Sequence, residues 1–276
     1  MKQLILTVDV EDWFHVCGTG RDTLILPRET WRVRQNIEKI LALLDGYSQK
    51  ATFFMLGSVA ESDPSLAAMI CSAGHELASH GYSHRLVSGM TAQQFRDELL
   101  ATERILFEQT GQKPIGYRAP QWSLSELRGW AFAILKDSGY RYDSSLNPLP
   151  LVGNPRGSRI PYRLGAEGEG LWEFPPLVTK SRFGNLPSGG GWGFRFFPLR
   201  MICSSIDTLN DSGHPAVIYL HPRELDPDGP RLELPIVKRF ASYGSRNDAA
   251  PRLVELLRRY QCVTLKELVE EWQSVS

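Results

Sequence analysis

The chain has 276 residues, and its 31 lysine and arginine residues balance 31 aspartate and glutamate residues, for a formal net charge of +0 at pH 7. This length allows one large domain or two small ones, and an α/β barrel often reaches it as a single domain. The balanced charge gives no electrostatic footprint for nucleic acid or an anionic membrane, and no apolar run approaches the roughly 18–20 residues of a transmembrane helix.

Cysteine usage and the start of the chain indicate a compartment. The four cysteines are scattered without a Cys-x-x-Cys motif, which argues against a thiolate zinc site and for reduced thiols. The acidic Asp9 stands too early for the apolar core of a secretory signal peptide. We therefore expect a cytoplasmic protein, with the inner membrane face as the alternative site of action.

The first half of the chain predicts alternating strands and helices. Residues 3–9 predict a buried strand that ends on Asp9, and after a loop at 18–27 Thr30 is a candidate N-cap for a helix through Leu44. Further strands are predicted over 51–56, 76–79, 115–118 and 140–143. Further helices are predicted over 63–73, 91–110 and 125–137.

The alternation lapses between about 148 and 198, where glycine, proline and aromatic residues predict an insertion of hairpins and loops. It returns with a helix over 199–210, a strand over 216–220, a helix over 250–260, and a strand and helix over 263–272. This order predicts a parallel sheet covered by helices, as in a (β/α) barrel or a close variant. Without a repeat or linker, residues 1–276 are interpreted as one domain.

Polar residues follow several of these strands, where the active site of such a fold lies. His80 and His84 stand four apart, a spacing that on a helical turn places both imidazoles on one face, close enough to share a cation such as Zn²⁺. The pair lacks the glutamate of His-Glu-x-x-His and needs a carboxylate from elsewhere. Two surface histidines are the alternative interpretation. The other polar residues at strand ends are Asp9, Glu11, Asp12, Arg118, Asp143 and His221.

Six motifs stand in order along the chain: Thr7-Val-Asp-Val-Glu-Asp-Trp-Phe-His15, Ser79-His-Gly-Tyr-Ser-His84, Gly116-Tyr-Arg-Ala-Pro120, Tyr142-Asp-Ser-Ser145, Leu186-Pro-Ser-Gly-Gly-Gly-Trp-Gly193, and Tyr219-Leu-His-Pro222 followed by Glu224-Leu-Asp-Pro227. Together they resemble the polysaccharide deacetylase family (the chitooligosaccharide deacetylase homology domain). Within it, the sequence is most similar to the subgroup encoded beside exosortase/PEP-CTERM exopolysaccharide systems. The resemblance runs nearly from end to end.

The resemblance implies a distorted (β/α) barrel and metal-dependent removal of N-acetyl groups from amino sugars of an exopolysaccharide or its lipid-linked precursor. By position, His80 and His84 match the metal-binding histidines, Asp9 matches the catalytic base, and Arg118 matches the arginine that holds it. His221 matches the general acid, and Asp143 falls near the carboxylate that orients this histidine. The implied partners are an N-acetylated saccharide and exopolysaccharide-assembly machinery.

The sequence departs from the family pattern at the third metal ligand. The family has two adjacent aspartates at this point, but here Val10 follows Asp9 and cannot bind metal. Strand alternation places Glu11 on the same face as Asp9 and favours Glu11, whereas a bulge would present Asp12 instead. The expected ion is Zn²⁺, with Co²⁺, Ni²⁺ or Mn²⁺ as alternatives.

The remaining expectations concern the substrate. The backbone N–H that follows Pro120, that of Gln121, would stabilise the oxyanion of the intermediate. Trp122 and Trp192 would stack on sugar rings, with core packing as the alternative for both. Three other functions remain open: a saccharide-binding protein without turnover, an allantoinase-like hydrolase of another C–N bond, and a glycosidase with paired carboxylates. The aspartate and histidine set argues against the last.

Overall fold

The computed structural model describes residues 2–16, 26–126, 129–150, 152–165, 170–244 and 248–275. Most of the loop expected at 18–27 lies outside these residues. Within them, no helix combines the length and the apolar character that crossing a membrane requires. Cys71, Cys203 and Cys262 form no disulfide.

The first half of the chain alternates strands and helices, as its sequence predicts. Two short helices, at 57–62 and 64–72, follow the second strand, where the sequence predicted one helix. Asp63 interrupts the helix before Pro64. The elements are β1 (Gln3–Val10), α1 (Val33–Gly46), β2 (Thr52–Met55), α2 (Gly57–Ser62), α3 (Pro64–Ser72), β3 (Glu76–Ser79), α4 (Ala92–Thr110), β4 (Gly116–Tyr117), α5 (Gly129–Asp137) and β5 (Tyr142–Asp143).

The second half contains four short strands, the helix α6 and then a return to longer elements. Two antiparallel pairs of strands, within 162–173 and 179–186, occupy the stretch at 148–198. The helices at 191–196 and 236–243 have no counterpart among the predicted elements. The elements are β6 (Tyr162–Arg163), β7 (Trp172–Glu173), β8 (Thr179–Ser181), β9 (Gly184–Leu186), α6 (Gly191–Phe196), α7 (Leu199–Asp211), β10 (Ala216–Leu220), α8 (Ile236–Tyr243), α9 (Ala250–Arg259), β11 (Gln261–Val263) and α10 (Leu265–Val275).

One curled sheet joins strands from both halves in the order β10-β1-β2-β3-β4-β5-β7-β6, and β11 pairs with the start of β1. All of these pairs are parallel except β6–β7. The segment before α6 runs beside β10, where Leu177 N donates to Val217 O over 2.8 Å and Tyr219 N donates to Gly189 O over 2.8 Å. The predicted (β/α) barrel is confirmed, in a distorted and partly open form.

Strand alternation decides which side chains enter the barrel. In β1, Leu4, Leu6, Val8 and Val10 pack outward against the helices. Ile5 instead belongs to an interior cluster with residues of other strands and of α10, so that α10 closes the bottom of the barrel. Asp9 has the same parity as Ile5 and therefore lies inside the barrel, at the carboxyl end of β1.

The start of α1 corrects one prediction. Thr30 does not cap this helix; it ends a 3₁₀ turn (Arg28–Thr30), and its hydroxyl donates to Pro27 O over 2.7 Å. The helix begins at Val33, whose amide donates to the Asp12 carboxylate over 3.0 Å. The cap comes from a residue 21 positions away, which a local sequence pattern cannot show.

Candidate active site

Asp9 and Arg118 form a buried ion pair at the carboxyl end of the barrel. Arg118 Nη1 donates to Asp9 Oδ1 over 2.7 Å and to Thr7 Oγ1 over 2.8 Å. The opposite side of the guanidinium donates to Ser144, through Nε to the carbonyl oxygen over 3.1 Å and through Nη2 to the hydroxyl over 2.8 Å. Arg118 is therefore held on two sides and fixes the orientation of the Asp9 carboxylate.

Glu11 contacts both histidines of the spaced pair. Its Oε1 lies 3.3 Å from His80 Nε2 and 2.9 Å from His84 Nε2, and all three residues are buried. One ligand atom from each lies within 4.8 Å of the other two, a separation that a single metal ion can bridge. Arg223 Nη1 donates to the second oxygen of Glu11 over 2.8 Å and so orients the carboxylate.

The backbone of the histidine pair differs from the helical turn that its spacing predicted. His80 follows β3 directly and the segment to His84 is a loop, with positive φ at Gly81 (75°) and His84 (59°). Left-handed backbone at a non-glycine residue is uncommon and occurs mainly where the surroundings hold it in place. The two imidazoles converge through this loop, with ring centroids 5.5 Å apart.

The donor set fits a divalent metal. His80 Nδ1 lies 2.8 Å from Arg118 O, and donating to that carbonyl leaves the Nε2 of a neutral imidazole with a lone pair facing Glu11. The lone pairs of His80 Nε2 and of the Glu11 carboxylate face each other, so a proton or a cation must lie between them. A metal-bound histidine commonly donates the N–H of its other ring nitrogen to a carbonyl in this way. Two imidazoles and one carboxylate are ligands that Zn²⁺ and its first-row neighbours accept.

Burial and neighbouring charges act in opposite directions at the cluster. Burial by itself would raise the pKa of Glu11, but the positive charges of His84, His221 and Arg223 hold it well below the usual range. Burial opposes the charged form of His80, yet the pKa of this imidazole is raised because the Asp9 and Glu11 carboxylates outweigh it. The interactions among these side chains therefore outweigh the cost of burying their charges.

Asp12, the alternative third ligand, lies outside this cluster. Its carboxylate accepts from the amides of Trp13 over 2.7 Å, Arg32 over 2.9 Å and Val33 over 3.0 Å. These bonds occupy Asp12 at the N-terminus of α1. Of the two candidates, only Glu11 faces the histidines, on the side that strand alternation favoured.

His221 and Glu224 form the second polar pair of the cavity. His221 Nδ1 lies 2.7 Å from Glu224 Oε1, and the amide of His221 donates to the same oxygen over 3.0 Å. Arg195 Nε lies 3.3 Å from the other oxygen of Glu224. His221 Nε2 then lies 3.9 Å from both Asp9 Oδ2 and Glu11 Oε1, beyond hydrogen-bond reach of either.

The structure does not support the expected contact between Asp143 and His221. Asp143 follows the inward-facing Tyr142 on β5 and so points to the outside of the sheet. Its carboxylate accepts from Ser145 Oγ over 2.7 Å, and that hydroxyl accepts from Ala119 N over 2.8 Å. Asp143 therefore supports the segment beside Arg118, and Glu224 is the carboxylate that orients His221.

A cavity of about 200 Å³ opens over these groups. Gln121 and Trp122 lie in its wall in consecutive left-handed conformations, with φ of 50° and 55°, which stores strain of about 1–3 kcal/mol at each residue. Trp192 also lines the cavity, whereas the buried Pro120 is not among the lining residues. Pro120 instead begins the 3₁₀ turn that presents Gln121.

A second cavity of about 610 Å³ adjoins the first. Both are lined by Trp122, Asn147 and Val152, so the two cavities share this wall. The lining of the larger cavity adds hydroxyl, amide and aromatic side chains such as Ser125, Asn154 and Tyr162. This composition suits a polar ligand with flat apolar faces.

Sequence reasoning missed Glu224, Arg223 and Arg195 as members of the site. The signal for Glu224 was its position three residues after His221, a spacing that one 3₁₀ turn converts into contact. His15, a motif residue to which the sequence assigned no role, lies against the Glu11 cluster, its ring 5.6 Å from that of His84. Burial is the main reason that the pKa of His15 falls to about 3, and the nearby charge of His84 contributes.

Two family models match adjacent segments of the chain. Residues 22–142 match the family described as polysaccharide deacetylase, and residues 144–270 match a domain of unknown function (DUF3473). The first segment contains His80, His84 and Arg118, and the second contains His221 and Glu224. The two segments contribute strands to the same sheet and residues to the same cavity.

Characterised relatives align with part of the chain. A peptidoglycan deacetylase of Helicobacter pylori is 38% identical over 136 residues, which are 48% of this chain and 45% of the relative. A peptidoglycan-N-acetylglucosamine deacetylase of Bacillus cereus is 35% identical over 88 residues, which are 32% of each chain. The alignments thus span less than half of these relatives. Together with the family model, they support the polysaccharide deacetylase family.

Solved structures share the fold over almost the whole chain. A Mycobacterium smegmatis structure described as a polysaccharide deacetylase has a TM-score of 0.67 at 21% identity and covers 99% of this chain and 90% of its own. At this level of identity the likeness concerns the fold alone.

Proposed function

We propose that this chain, whose matches support the polysaccharide deacetylase family, is a metal-dependent hydrolase that removes N-acetyl groups from amino sugars. The observation that carries the proposal is the convergence of three groups on one cavity: the Glu11 cluster with its two histidines, the Asp9–Arg118 pair and the His221–Glu224 pair. Amide hydrolysis needs an activated electrophile, a base for water and an acid for the leaving amine, and these groups can supply all three.

The metal would be held by Glu11 Oε1, His80 Nε2 and His84 Nε2, with Zn²⁺ as the preferred ion and Co²⁺, Ni²⁺ or Mn²⁺ as alternatives. When bound, such an ion polarises a carbonyl oxygen and lowers the pKa of a water molecule to about 7. Arg223 keeps the Glu11 carboxylate oriented toward the histidines.

Asp9 is proposed as the base. Its Oδ1 is engaged by Arg118, which leaves Oδ2 to accept a proton from the water that attacks the acetyl carbon. Arg118 acts as a positioning residue. It hydrogen-bonds to Asp9 and, in the barrel wall, to Thr7 and Ser144, and among the described residues no contact joins it to His221.

His221 is proposed as the acid. Glu224 accepts a hydrogen bond from Nδ1 and so directs the Nε2 proton toward the cavity. His221 Nε2 and Asp9 Oδ2 lie 3.9 Å apart, too far for a direct hydrogen bond, so both can contact a reacting group that lies over them in the cavity. As the C–N bond of the tetrahedral intermediate breaks, the nitrogen takes the proton from His221, and acetate and a free amino sugar are released.

The strained turn at Gln121 suits the oxyanion of the intermediate. Its left-handed backbone lies in the cavity wall, and its N–H is the donor that we assign to this role. The role depends on the backbone, so the identity of the Gln121 side chain is of little consequence to it.

The adjoining cavities favour a substrate longer than one sugar. The 200 Å³ cavity would hold the reacting acetamido sugar, and the 610 Å³ cavity, with Trp122 between the two, would hold neighbouring sugars. We propose an amino-sugar polymer such as an exopolysaccharide or its lipid-linked precursor as the substrate class.

Acetate release from N-acetylglucosamine oligomers, with metal content measured on the same samples, tests the proposal. The metal-loaded wild type should release acetate, and Glu11→Ala should lose both metal and activity because one of three protein ligands is gone. Asp12→Asn is the matched control and should retain metal, because Asp12 contacts backbone amides outside the cluster. Asp9→Asn should retain metal and lose activity by roughly 10²–10⁴-fold.

Two results would contradict the proposal. If the metal-loaded wild type binds oligomers but releases no acetate from any amino sugar, the chain is a saccharide-binding protein, an outcome for which Val10 in place of the second aspartate provides a basis. If Asp12→Asn loses metal while Glu11→Ala keeps it, the assignment of the third ligand is wrong.

A further inference from the structure

An exposed apolar surface lies on two helices that also contribute residues to the candidate cavity. It consists of Phe196 from α6 and Ile236, Val237 and Phe240 from α8, whose exposed fractions are 57%, 78%, 80% and 47%. We call this set the α8 patch. Large apolar side chains grouped on a surface mark an interaction site more often than singly scattered ones do.

The α8 patch is a built feature of the fold. Phe240 packs on Trp192 with ring centroids 5.0 Å apart and lies 6.5 Å from Phe196, so α8 is seated on α6. Tyr243 is the buried residue of α8, and its hydroxyl accepts from Leu232 N over 2.8 Å. The helix is anchored through these aromatic residues while Ile236 and Val237 face solvent.

The whole-chain charge balance conceals a local excess of positive charge around the α8 patch. Residues 191–206 and 234–244 contain Arg195, Arg200, Lys238 and Arg239 and no aspartate or glutamate. Arg195 is buried beside Glu224, but Arg200, Lys238 and Arg239 are exposed. The flanking acids are Asp207, directly after the first segment, and Glu233 and Asp248 on either side of the second.

We propose that the α8 patch docks the protein on an anionic lipid bilayer. Apolar side chains on a short surface helix with neighbouring cations fit the headgroup level of a membrane, where the apolar groups insert and the cations meet lipid phosphates. The exposed cations beside these apolar side chains complement an anionic surface, and an anionic bilayer is therefore the partner that we assign. Few inserted groups also make the docking reversible.

Docking would bring the catalytic cavity to the membrane surface. Trp192, Ala241 and Ser242 line that cavity, and they belong to the two helices that carry the α8 patch. A sugar attached to a lipid would then meet the cavity at headgroup level. The docking itself depends only on the α8 patch and stands apart from the catalytic proposal.

Flotation of the full chain with phosphatidylcholine vesicles, with and without phosphatidylglycerol, tests the proposal. The wild type should float with the vesicles that contain phosphatidylglycerol. Ile236→Ser combined with Val237→Ser should lower the partition coefficient by on the order of tenfold or more, because two inserted side chains are lost. Lys238→Glu combined with Arg239→Glu should lower it by about tenfold or more on the anionic vesicles and much less on pure phosphatidylcholine.

Phe183→Ser is the matched control, because Phe183 is 84% exposed but lies in the turn between β8 and β9. This variant should float like the wild type. Wild type that stays in solution with both vesicle types, or a Phe183→Ser variant that is equally impaired, would overturn the proposal. So would sedimentation showing that the wild type is a dimer and that the Ile236→Ser, Val237→Ser variant is a monomer.

Acetate release from water-soluble oligomers keeps the two proposals distinguishable. The Ile236→Ser, Val237→Ser variant should retain the wild-type rate on these substrates, since neither residue lines the cavity. An inactive wild type that floats would leave the docking proposal in place. An active wild type that does not float would leave the catalytic proposal in place.

Discussion

Each charged side chain in the candidate site has an opposite charge beside it. Asp9 contacts Arg118, Glu11 contacts Arg223, and Glu224 lies between His221 and Arg195. Removing one member of such a buried pair leaves the other charge without compensation, which is strongly destabilising. The Glu11→Ala variant therefore needs a measurement of its folding beside those of metal and activity, whereas variants that preserve shape are less demanding.

Glu224→Gln should reduce kcat by roughly 10–10²-fold with little change in KM, because Glu224 contacts His221 and lies outside the substrate cavity lining. Burial opposes the charged form of Glu224, but His221 and Arg195 lower the pKa of this carboxyl, and the amide carries no charge to pair with His221. Steady-state kinetics would measure kcat and KM separately. A purely structural role would instead appear as a loss of folded protein, which urea denaturation of the variant would detect.

Glu173→Gln is the matched control for that experiment. Burial raises the pKa of Glu173 well above its usual range, and the adjacent Asp143 adds to the shift, so the neutral form of this carboxyl is favoured. Glutamine resembles the protonated acid and can still accept from Leu146 N, a bond of 2.9 Å in the wild type. Its kinetics should match those of the wild type.

The predictability of the site differed from residue to residue. Asp9, Glu11, His80 and His221 follow predicted strands, and parallel strands bring such residues to one end of a barrel, where the structure places them. Asp143 also follows a strand, but the alternation of β5 turns it outward. Glu224 was not found because no strand ends there.

At the scale of single elements, two helices show local and distant capping. The hydroxyl of Thr91 accepts from Gln94 N over 3.2 Å, and the Gln94 side chain accepts from Thr91 N over 2.9 Å, a capping box visible in the sequence. The N-terminus of α1 is capped from a distance by Asp12. The predicted helix start was accurate for α4, because its cap is local, and wrong for α1, because its cap comes from a distant residue.

Asp12→Ala should lower the free energy of unfolding by about 1–3 kcal/mol, because three backbone amides lose their acceptor. Thr91→Ala, which removes a local and exposed cap, should lower it by about 1 kcal/mol. Urea denaturation of metal-free protein would compare the two. Equal losses would mean that the bonds to Asp12 contribute no more than an ordinary cap.

His75, at the start of β3, should make stability depend on pH. Its Nδ1 accepts from Ala51 N over 3.3 Å, and burial lowers the pKa of His75 from 6.5 to about 4. Between these values the unfolded chain binds more protons than the folded protein, so the free energy of unfolding falls as the pH is lowered through this window. The contribution of His75 reaches at most about 3 kcal/mol.

His75→Gln should remove that part of the pH dependence, since glutamine offers an acceptor that does not titrate in this range. Urea denaturation at pH 7 and at pH 5 would measure the loss for variant and wild type. The wild type should lose more stability than the variant on acidification. Equal losses would show that His75 is protonated in the folded protein at pH 5.

At the scale of the whole molecule, the order of strands and helices was sufficient to predict the barrel. The region at 148–198 was less predictable: two strand pairs and α6 form there, and β7 joins the main sheet through β5. Strands of two or three residues carry too few side chains for a periodic pattern. The α8 patch was also invisible, because whole-chain composition averages out a local charge excess.

If the proposed hydrolysis takes place, the two adjoining cavities should favour longer substrates. Tyr162 lines the 610 Å³ cavity and not the catalytic one, so Tyr162→Ala should reduce the preference of kcat/KM for a tetramer over a monomer by on the order of tenfold. The rate on the monomer should stay unchanged. Wild type that hydrolyses monomer and tetramer equally well would show that the larger cavity holds no sugar.

The central position of β1 has a consequence for biosynthesis. The strand that bears Asp9 is translated more than 200 residues before its neighbours β10 and β11; the Thr7 hydroxyl, for example, donates to Ile218 O across 211 positions. Contacts so distant along the chain close slowly, and the exposed edge of a nascent sheet is prone to aggregate. We expect the emerging polypeptide to depend on chaperones until β10 and β11 are synthesised.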